Sequence, residues 1–335
     1  MRATETCTPR FIIGLPRAGT TWMCRSLNEH PDVVAFGETM FWGKGYIPPC
    51  ENGSYNAPDL QLVKQLLLTK PLESSMKIPG PGGMRAITSA DVSRLIEGAF
   101  ATLPDRAGPA EVFQTVANHI AQAEGKSTWV EKTPHHLLYA RRILMHFPTA
   151  RFVVMMRDPY SFLLSYKHQS GYENSDASRR RFKRRYHPAG GALVWKNSWR
   201  AAHHLLRTAP EQALLVRMEQ VARDPGDVMR RVQEFLELGP TSAANGVGTK
   251  INSAFEHVSP SLSDADVAWM NLIAARDIVS AGYELRPSPK NPTAILRSAT
   301  DLPLWALRIL LDLKRTTSGS LFRHMRHWLV RDPNA

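Results

Sequence analysis

Phe11-Ile12-Ile13-Gly14 is a short apolar run that enters a Gly/Pro turn, the pattern of a buried strand ending in a loop. From Thr20 the period changes: Trp22, Met23 and Leu27 recur at helical spacing as far as Asn28, ahead of Pro31. Val33–Phe36, Thr128–Glu131, Arg151–Met156 and Ala213–Arg217 read as further strands, with Arg151–Met156 the clearest apolar run. Helical patterns cover Leu60–Leu68, Ala90–Leu103, Ala110–Glu124, His135–His146, Ser161–His168, Ala192–Thr208 and Pro225–Leu236. Strands alternating with helices predict an α/β fold, a P-loop-like parallel sheet flanked by helices on both faces. Residues 43–90 are rich in Gly, Pro, Ser and Asn and read as an insertion that shapes a substrate mouth. Pro287, Pro289 and Pro292 mark a break, and Leu302–Leu313 and Ser320–Val330 predict a C-terminal helical appendage. The expected organisation is one α/β domain over residues 9–286, carrying the insertion, and a helical extension over 291–335.

Composition narrows the function classes. The 335 residues are 43% hydrophobic, enough for a sizeable core, so wholesale disorder is excluded. A formal charge of +12 favours an anionic ligand, nucleic acid or an acidic membrane surface without choosing among them. Three cysteines at irregular spacings give no disulfide framework and fit a reducing compartment. The polar N-terminal stretch has no apolar signal region, and no apolar run reaches the roughly 18 residues that span a bilayer. A cytoplasmic location is expected, with peripheral membrane association through the C-terminal helices as a further option.

Three charged or histidine-rich signals lead elsewhere or nowhere. Arg179-Arg180-Arg181-Phe182-Lys183-Arg184-Arg185-Tyr186 is a dense basic run, but no zinc finger, RNP motif or helix-turn-helix accompanies it. It reads as an acceptor-side patch or lid flank, not a nucleic-acid reader. His203-His204 and the His324/His327 pair lack ligands at metal spacing, and no metal is expected. In the last segment, Leu321, Phe322, Met325, Trp328 and Leu329 share one helical face with Arg and His opposite. Residues 302–330 therefore dock on their own domain, on a second subunit or on a membrane surface.

The chemistry-bearing stretch is Gly14-Leu15-Pro16-Arg17-Ala18-Gly19-Thr20-Thr21, between a strand and a helix, where backbone N–H groups and a helix N-terminus cradle phosphate. Gly14, Gly19 and Thr21 fall in register with GxxxxGK[ST], but Thr20 stands where the lysine belongs. Triphosphate chemistry is therefore disfavoured, and a single terminal 5′-phosphate group fits better. A second constellation is Met155-Met156-Arg157-Asp158-Pro159 with Ser165 eight residues beyond Arg157. An arginine plus a hydroxyl makes a receptor for a phosphate monoester.

Together these stretches resemble the sulfotransferases that use 3′-phosphoadenosine 5′-phosphosulfate (PAPS), in the branch of the bacterial and tyrosylprotein enzymes. Pro16-Arg17-Ala18-Gly19-Thr20-Thr21-Trp22 resembles the family's 5′-phosphosulfate loop, and Arg157 with Ser165 its 3′-phosphate pair. The resemblance spans about residues 9–285 and is strong at 11–39 and 129–168. It implies PAPS as donor, no metal requirement, and a hydroxyl (less readily an amine) on a small molecule, lipid, glycan or peptide as acceptor. Glu38, in the stretch His30–Thr39, matches the branch's general base; Lys132, in Glu131-Lys132-Thr133-Pro134, matches the lysine that stabilises the departing phosphate, with Arg17 assisting. Pro134 replaces the histidine that serves as base in cytosolic arylsulfotransferases, which leaves His135 as the alternative base. Arg217-Met218-Glu219 resembles the adenine segment with Met218 in place of tyrosine, and Thr249-Lys250 resembles the serine–lysine pair that closes over the donor. The alternatives are a P-loop kinase or NTPase with a degenerate loop, and a non-enzymatic basic anion-binding protein.

Overall fold

Every residue of the first apolar run is buried, and it forms β1 (Arg10–Gly14). A computed structural model of the chain describes residues 8–43, 45–50, 52–68, 77–80, 83–86, 88–169, 180, 183–241, 261–287 and 292–316. The chain divides into two compact units. One contains Met1–Met155, Leu205–Val216 and Gln220–Thr249; the other contains Met156–His204, Arg217–Glu219 and Lys250–Ala335.

The first unit is built on a parallel sheet. In chain order it has β1, α1 (Thr20–Asn28), β2 (Val33–Phe36), α2 (Ala57–Leu68), the hairpin β3 (Lys77–Gly80) and β4 (Gly83–Ala86), α3 (Ser89–Ala101), α4 (Pro109–Ala123), β5 (Thr128–Lys132), α5 (Ala140–His146) and β6 (Arg151–Met156). The five-stranded sheet has the order β2-β5-β1-β6-β7, with β7 over Ala213–Arg217. β1 pairs in parallel with β5 (Phe11 opposite Glu131) and with β6 (Phe11 opposite Phe152), and β2 pairs in parallel with β5 (Phe36 opposite Glu131). Parallel strands need crossover helices, and both faces are then covered, which is why these strands read as unbroken apolar runs. The core is aromatic: Phe11 stacks on Phe113 and Phe152 and meets Trp129 edge-on, at centroid distances of 5.8, 5.6 and 5.8 Å. Each such pair contributes about 0.5–1.5 kcal/mol beyond area burial.

In the second unit Asp158 caps α6 (Pro159–Lys167), its Oδ1 accepting from the Ser161 N–H at 2.7 Å. α7 (Pro188–Thr208) follows. After β7, the chain enters α8 (Met218–Arg223), whose first two residues belong to this unit, and α9 (Pro225–Phe235), which belongs to the first unit; α10 (Asp264–Ser280) and α11 (Pro292–Thr316) complete the second. Ser263 and Asp266 form a capping box on α10, and Asp266 also binds Lys167 at 2.7 Å and the Tyr186 hydroxyl at 2.5 Å. Trp305 anchors α11 by donating to the Arg185 carbonyl at 2.9 Å.

Several elements differ from the sequence expectation; α8 is an added helix, and α11 begins at Pro292, ten residues ahead of the expected Leu302. The helix expected at His135–His146 opens as a 3₁₀ turn over Pro134–Tyr139, and α5 starts only at Ala140. The tighter turn accommodates His136, which is held at both ring nitrogens. α10 was absent from the sequence pattern because two of its buried positions are aspartates, Asp266 and Asp277, which interrupt the apolar stripe. The insertion holds the β3–β4 hairpin besides its helix. Among the described residues no helix is long and apolar enough to cross a membrane.

Candidate active site

In a parallel α/β sheet the loops that follow the strands lie at one edge, and ligands bind there. Three of the predicted groups in the first unit follow strands in this way. The phosphate loop follows β1, Glu38 follows β2, and Lys132 is the last residue of β5.

The loop is fixed by its backbone. The Leu15 N–H donates to the Met155 carbonyl at 2.9 Å, and a Cβ on Gly14 would lie 2.1 Å from that same oxygen. Only glycine permits this approach. Arg17 (φ 68°) and Gly19 (φ 83°) both take the left-handed conformation, and Gly19 caps α1. No side chain caps this terminus and no acidic residue lies in the first turn of α1, so its dipole and N–H groups remain suited to an anion. Ala18, Thr20 and Trp22 are buried, while Arg17 and Thr21 are half-buried.

Lys132 is wholly buried, and its Nζ donates to Glu38 Oε1 at 2.9 Å. Glu38 retains 32% of its side-chain exposure, so the pair has one dry member and one that solvent reaches. Lys132 is therefore not a solvated lysine; its charge is held in the interior by a carboxylate. The β2 loop approaches β5 so closely that a Cβ on Gly37 would sit 1.9 Å from the Lys132 carbonyl oxygen.

A second network lies behind the first, and no recognised motif in the sequence marks it. Glu131 is fully buried and accepts from the Thr39 hydroxyl (2.8 Å), the Thr39 N–H (3.3 Å), the Thr133 hydroxyl (2.5 Å) and His136 Nδ1 (3.1 Å). His136 Nε2 accepts from the Trp42 N–H at 3.3 Å, which makes Nδ1 the protonated, donating nitrogen. Burial opposes the Glu131 charge, but His136 and the Thr133 and Thr39 hydroxyls outweigh it and hold the carboxyl below the usual carboxylate range. Adjacent residues thus make adjacent links. Glu38 binds Lys132, Thr39 binds Glu131, and the loop is tied to the strand twice. The signal in the sequence is a threonine directly after each charged residue, in Glu38-Thr39 and Lys132-Thr133. His135, the alternative base, is half-buried in the 3₁₀ turn.

In the second unit Arg157 directly follows β6 and is half-buried, its carbonyl accepting from Trp195 Nε1 at 2.9 Å. Ser165 is buried in the last turn of α6. Met218 is half-buried at the start of α8; Glu219 beside it accepts from the Asp158 N–H at 2.8 Å and from the Tyr283 hydroxyl at 3.2 Å. Glu219 thus fixes the turn that carries Arg157. Thr249 and Lys250 lie outside the described residues, as do residues 317–335. Of the basic run, Tyr186 is bound to Asp266 and the Arg185 carbonyl to Trp305.

A sulfotransferase family model matches residues 9–241, and the chain belongs to that family. A Caenorhabditis briggsae protein named for protein-tyrosine sulfotransferase activity is 23% identical over 238 residues, covering 68% of this chain and 65% of that one. Nodulation protein NoeE of Sinorhizobium fredii is 25% identical over 158 residues, 47% of this chain. The chain spans 30% of NoeE's length and just under two thirds of the nematode protein's. The fold is similar to the sulfotransferase domain of the Synechococcus PCC 7002 olefin synthase, with a TM-score of 0.50 and 17% identity over 84% of this chain and 98% of that domain.

Proposed function

We propose that the protein transfers the sulfuryl group of PAPS to an acceptor hydroxyl. One observation carries this reading: a wholly buried lysine paired at 2.9 Å with a solvent-reached carboxylate, at the ends of adjacent strands in a sulfotransferase-family chain. The phosphate loop suits the donor, since Thr20 replaces the lysine that a triphosphate requires and α1 begins without an acidic residue.

Arg17, Ala18, Gly19, Thr20, Thr21 and Trp22 form the cradle for the 5′-phosphosulfate. Arg157 and Ser165 take the 3′-phosphate, an assignment that rests on their spacing in the sequence; Met218, Thr249 and Lys250 are assigned to the donor on the same ground. Glu38 removes the acceptor proton as the acceptor oxygen bonds to sulfur. The bond between sulfur and the 5′-phosphate oxygen breaks, and the Lys132 ammonium stabilises the negative charge that collects on that oxygen. The products are a sulfate ester and adenosine 3′,5′-bisphosphate, and Glu38 returns its proton to water.

The pairing of Glu38 with Lys132 also sets a carboxylate against the buried ammonium before the acceptor arrives. Each neutralises the other, and a buried lysine without a partner would lose its proton. The test is release of adenosine 3′,5′-bisphosphate from PAPS in the presence of an acceptor panel. A tyrosyl peptide leads the panel because the nematode relative is named for that acceptor; a phenol, an oligosaccharide and a lipid alcohol complete it. Acceptor-dependent release that Lys132→Ala abolishes is expected. Release by no acceptor, with ATP consumed instead, would overturn the proposal.

A further inference from the structure

The C-terminal side of the second unit carries an apolar surface that the transfer chemistry does not use. Among the described residues nine large hydrophobic side chains are exposed, and seven of them lie between Leu272 and Leu311. Four belong to α11: Leu296, Leu304, Leu307 and Leu311, exposed between 49% and 66%. At 3.6 residues per turn these four fall within an arc of about 80°. Trp305, about 180° from Leu296 on the same wheel, donates to the Arg185 carbonyl and lies against the His187 ring at 5.2 Å. Ser298, on that inner side too, accepts from Trp269 Nε1 at 2.8 Å. The helix is thus fastened to its unit by one face, and the leucines occupy the other. A groove of about 560 Å³ adjoins it, lined by Leu272, Ala275, Leu285 and Ile295 together with Asn271 and Arg286.

We propose that this face docks on an anionic lipid bilayer surface. Charge selects the occupant. Arg297 and Arg308 are both exposed and border the leucine arc on one side, nearer to it than the exposed Asp301, and there they meet lipid phosphates when the leucines enter the acyl boundary. The sequence beyond continues the same combination, with Lys314, Arg315, Arg323, Arg326 and Arg331 among Leu321, Phe322, Met325, Trp328 and Leu329. A second copy is the less suitable cover, because it would bring the same arginines together on chains that each carry +12. The helix lies in the interface rather than crossing it, since no helix among the described residues is apolar enough to span.

The full-length protein is floated with phosphatidylcholine vesicles and with vesicles in which roughly a third of the lipid is phosphatidylglycerol. Light scattering on the same samples reports the oligomeric state. The expected result is binding to the anionic vesicles only, weakened by salt, and at least about tenfold weaker in L304S/L307S/L311S and in R297Q/R308Q. Affinity for adenosine 3′,5′-bisphosphate stays unchanged in both variants, which shows that they fold. Three results would overturn the proposal: no binding by the wild type, equal binding by the leucine variant, or a dimer that the leucine substitutions dissociate. The last would assign the face to a second copy.

Discussion

Lys132 Nζ stands 2.9 Å from Glu38 Oε1, and the lysine is wholly buried while the glutamate keeps contact with solvent. In the proposed transfer the asymmetry divides the labour between the two groups. Glu38 can exchange a proton with an acceptor or with water, whereas the lysine is fixed as a charge in a medium where each interaction is stronger than in water. Lys132→Met is expected to lower kcat by about 10²–10³, and Glu38→Gln by about 10²–10⁴. Affinity for adenosine 3′,5′-bisphosphate should change little in Glu38→Gln. His135→Ala is expected to keep kcat within about fivefold of wild type. If Glu38→Gln retains turnover and His135→Ala loses it, the base is the histidine.

Glu131 holds the strand end from behind. Its carboxyl is depressed in the folded state, so the stability it contributes is present above its unfolded pKa and is lost as pH falls through the folded value. Glu131→Gln should cost about 3 kcal/mol near neutral pH, because the donors around it are buried. Denaturant titrations at several pH values check this. The gap between wild type and variant should narrow below about pH 4; a gap that stays constant on acidification would contradict the assignment.

Gly37 has no room for a side chain. An added methyl would lie 1.9 Å from the Lys132 carbonyl, so Gly37→Ala must push the β2 loop away from β5 and separate Glu38 from Lys132. Turnover should fall by about 10² or more, since misplacement by an ångström is enough for that. Gly98→Ala, in α3, whose nearest neighbour atom is 3.8 Å away, is the control and should leave turnover unchanged.

Glu124, at the C-cap of α4, is 9% exposed, and its Oε1 has no hydrogen-bond partner among the described residues. Burial raises its carboxyl to about 7, against the opposing pull of Lys126. The folded state therefore binds this proton more tightly than the unfolded state, and stability is lost as pH rises from about 4.5 to about 7. Glu124→Gln should match wild type near pH 4.5 and exceed it above pH 7 by on the order of 1–3 kcal/mol. Thermal melts across that range measure the difference, and one that does not vary with pH would contradict this account.

The sequence displays what is local. Gly14, Gly19 and Thr21 mark the loop because a phosphate cradle needs glycines at fixed offsets between a strand and a helix, and the unbroken run Arg151–Met156 marks a central parallel strand. Glu38 and Lys132 are recognisable singly, each in its own short motif. Their pairing is not, because it depends on β2 lying beside β5 with Phe36 opposite Glu131, a register between segments more than 90 residues apart. Glu131 was hidden for the same reason: in the sequence it is a charged neighbour of Lys132, and only the approach of Thr39, Thr133 and His136 makes it the buried anchor of the site. α10 was illegible because Asp266 and Asp277 stand where apolar residues would have drawn its inner face.

Calorimetric titration with adenosine 3′,5′-bisphosphate in the absence of metal, beside ATP with Mg²⁺, tests the donor assignment most directly. The bisphosphate is expected to bind, and Arg157→Ala to weaken it by about 10–100-fold, the loss of one charge-assisted phosphate contact. Binding of ATP–Mg²⁺ with no binding of the bisphosphate would contradict that assignment.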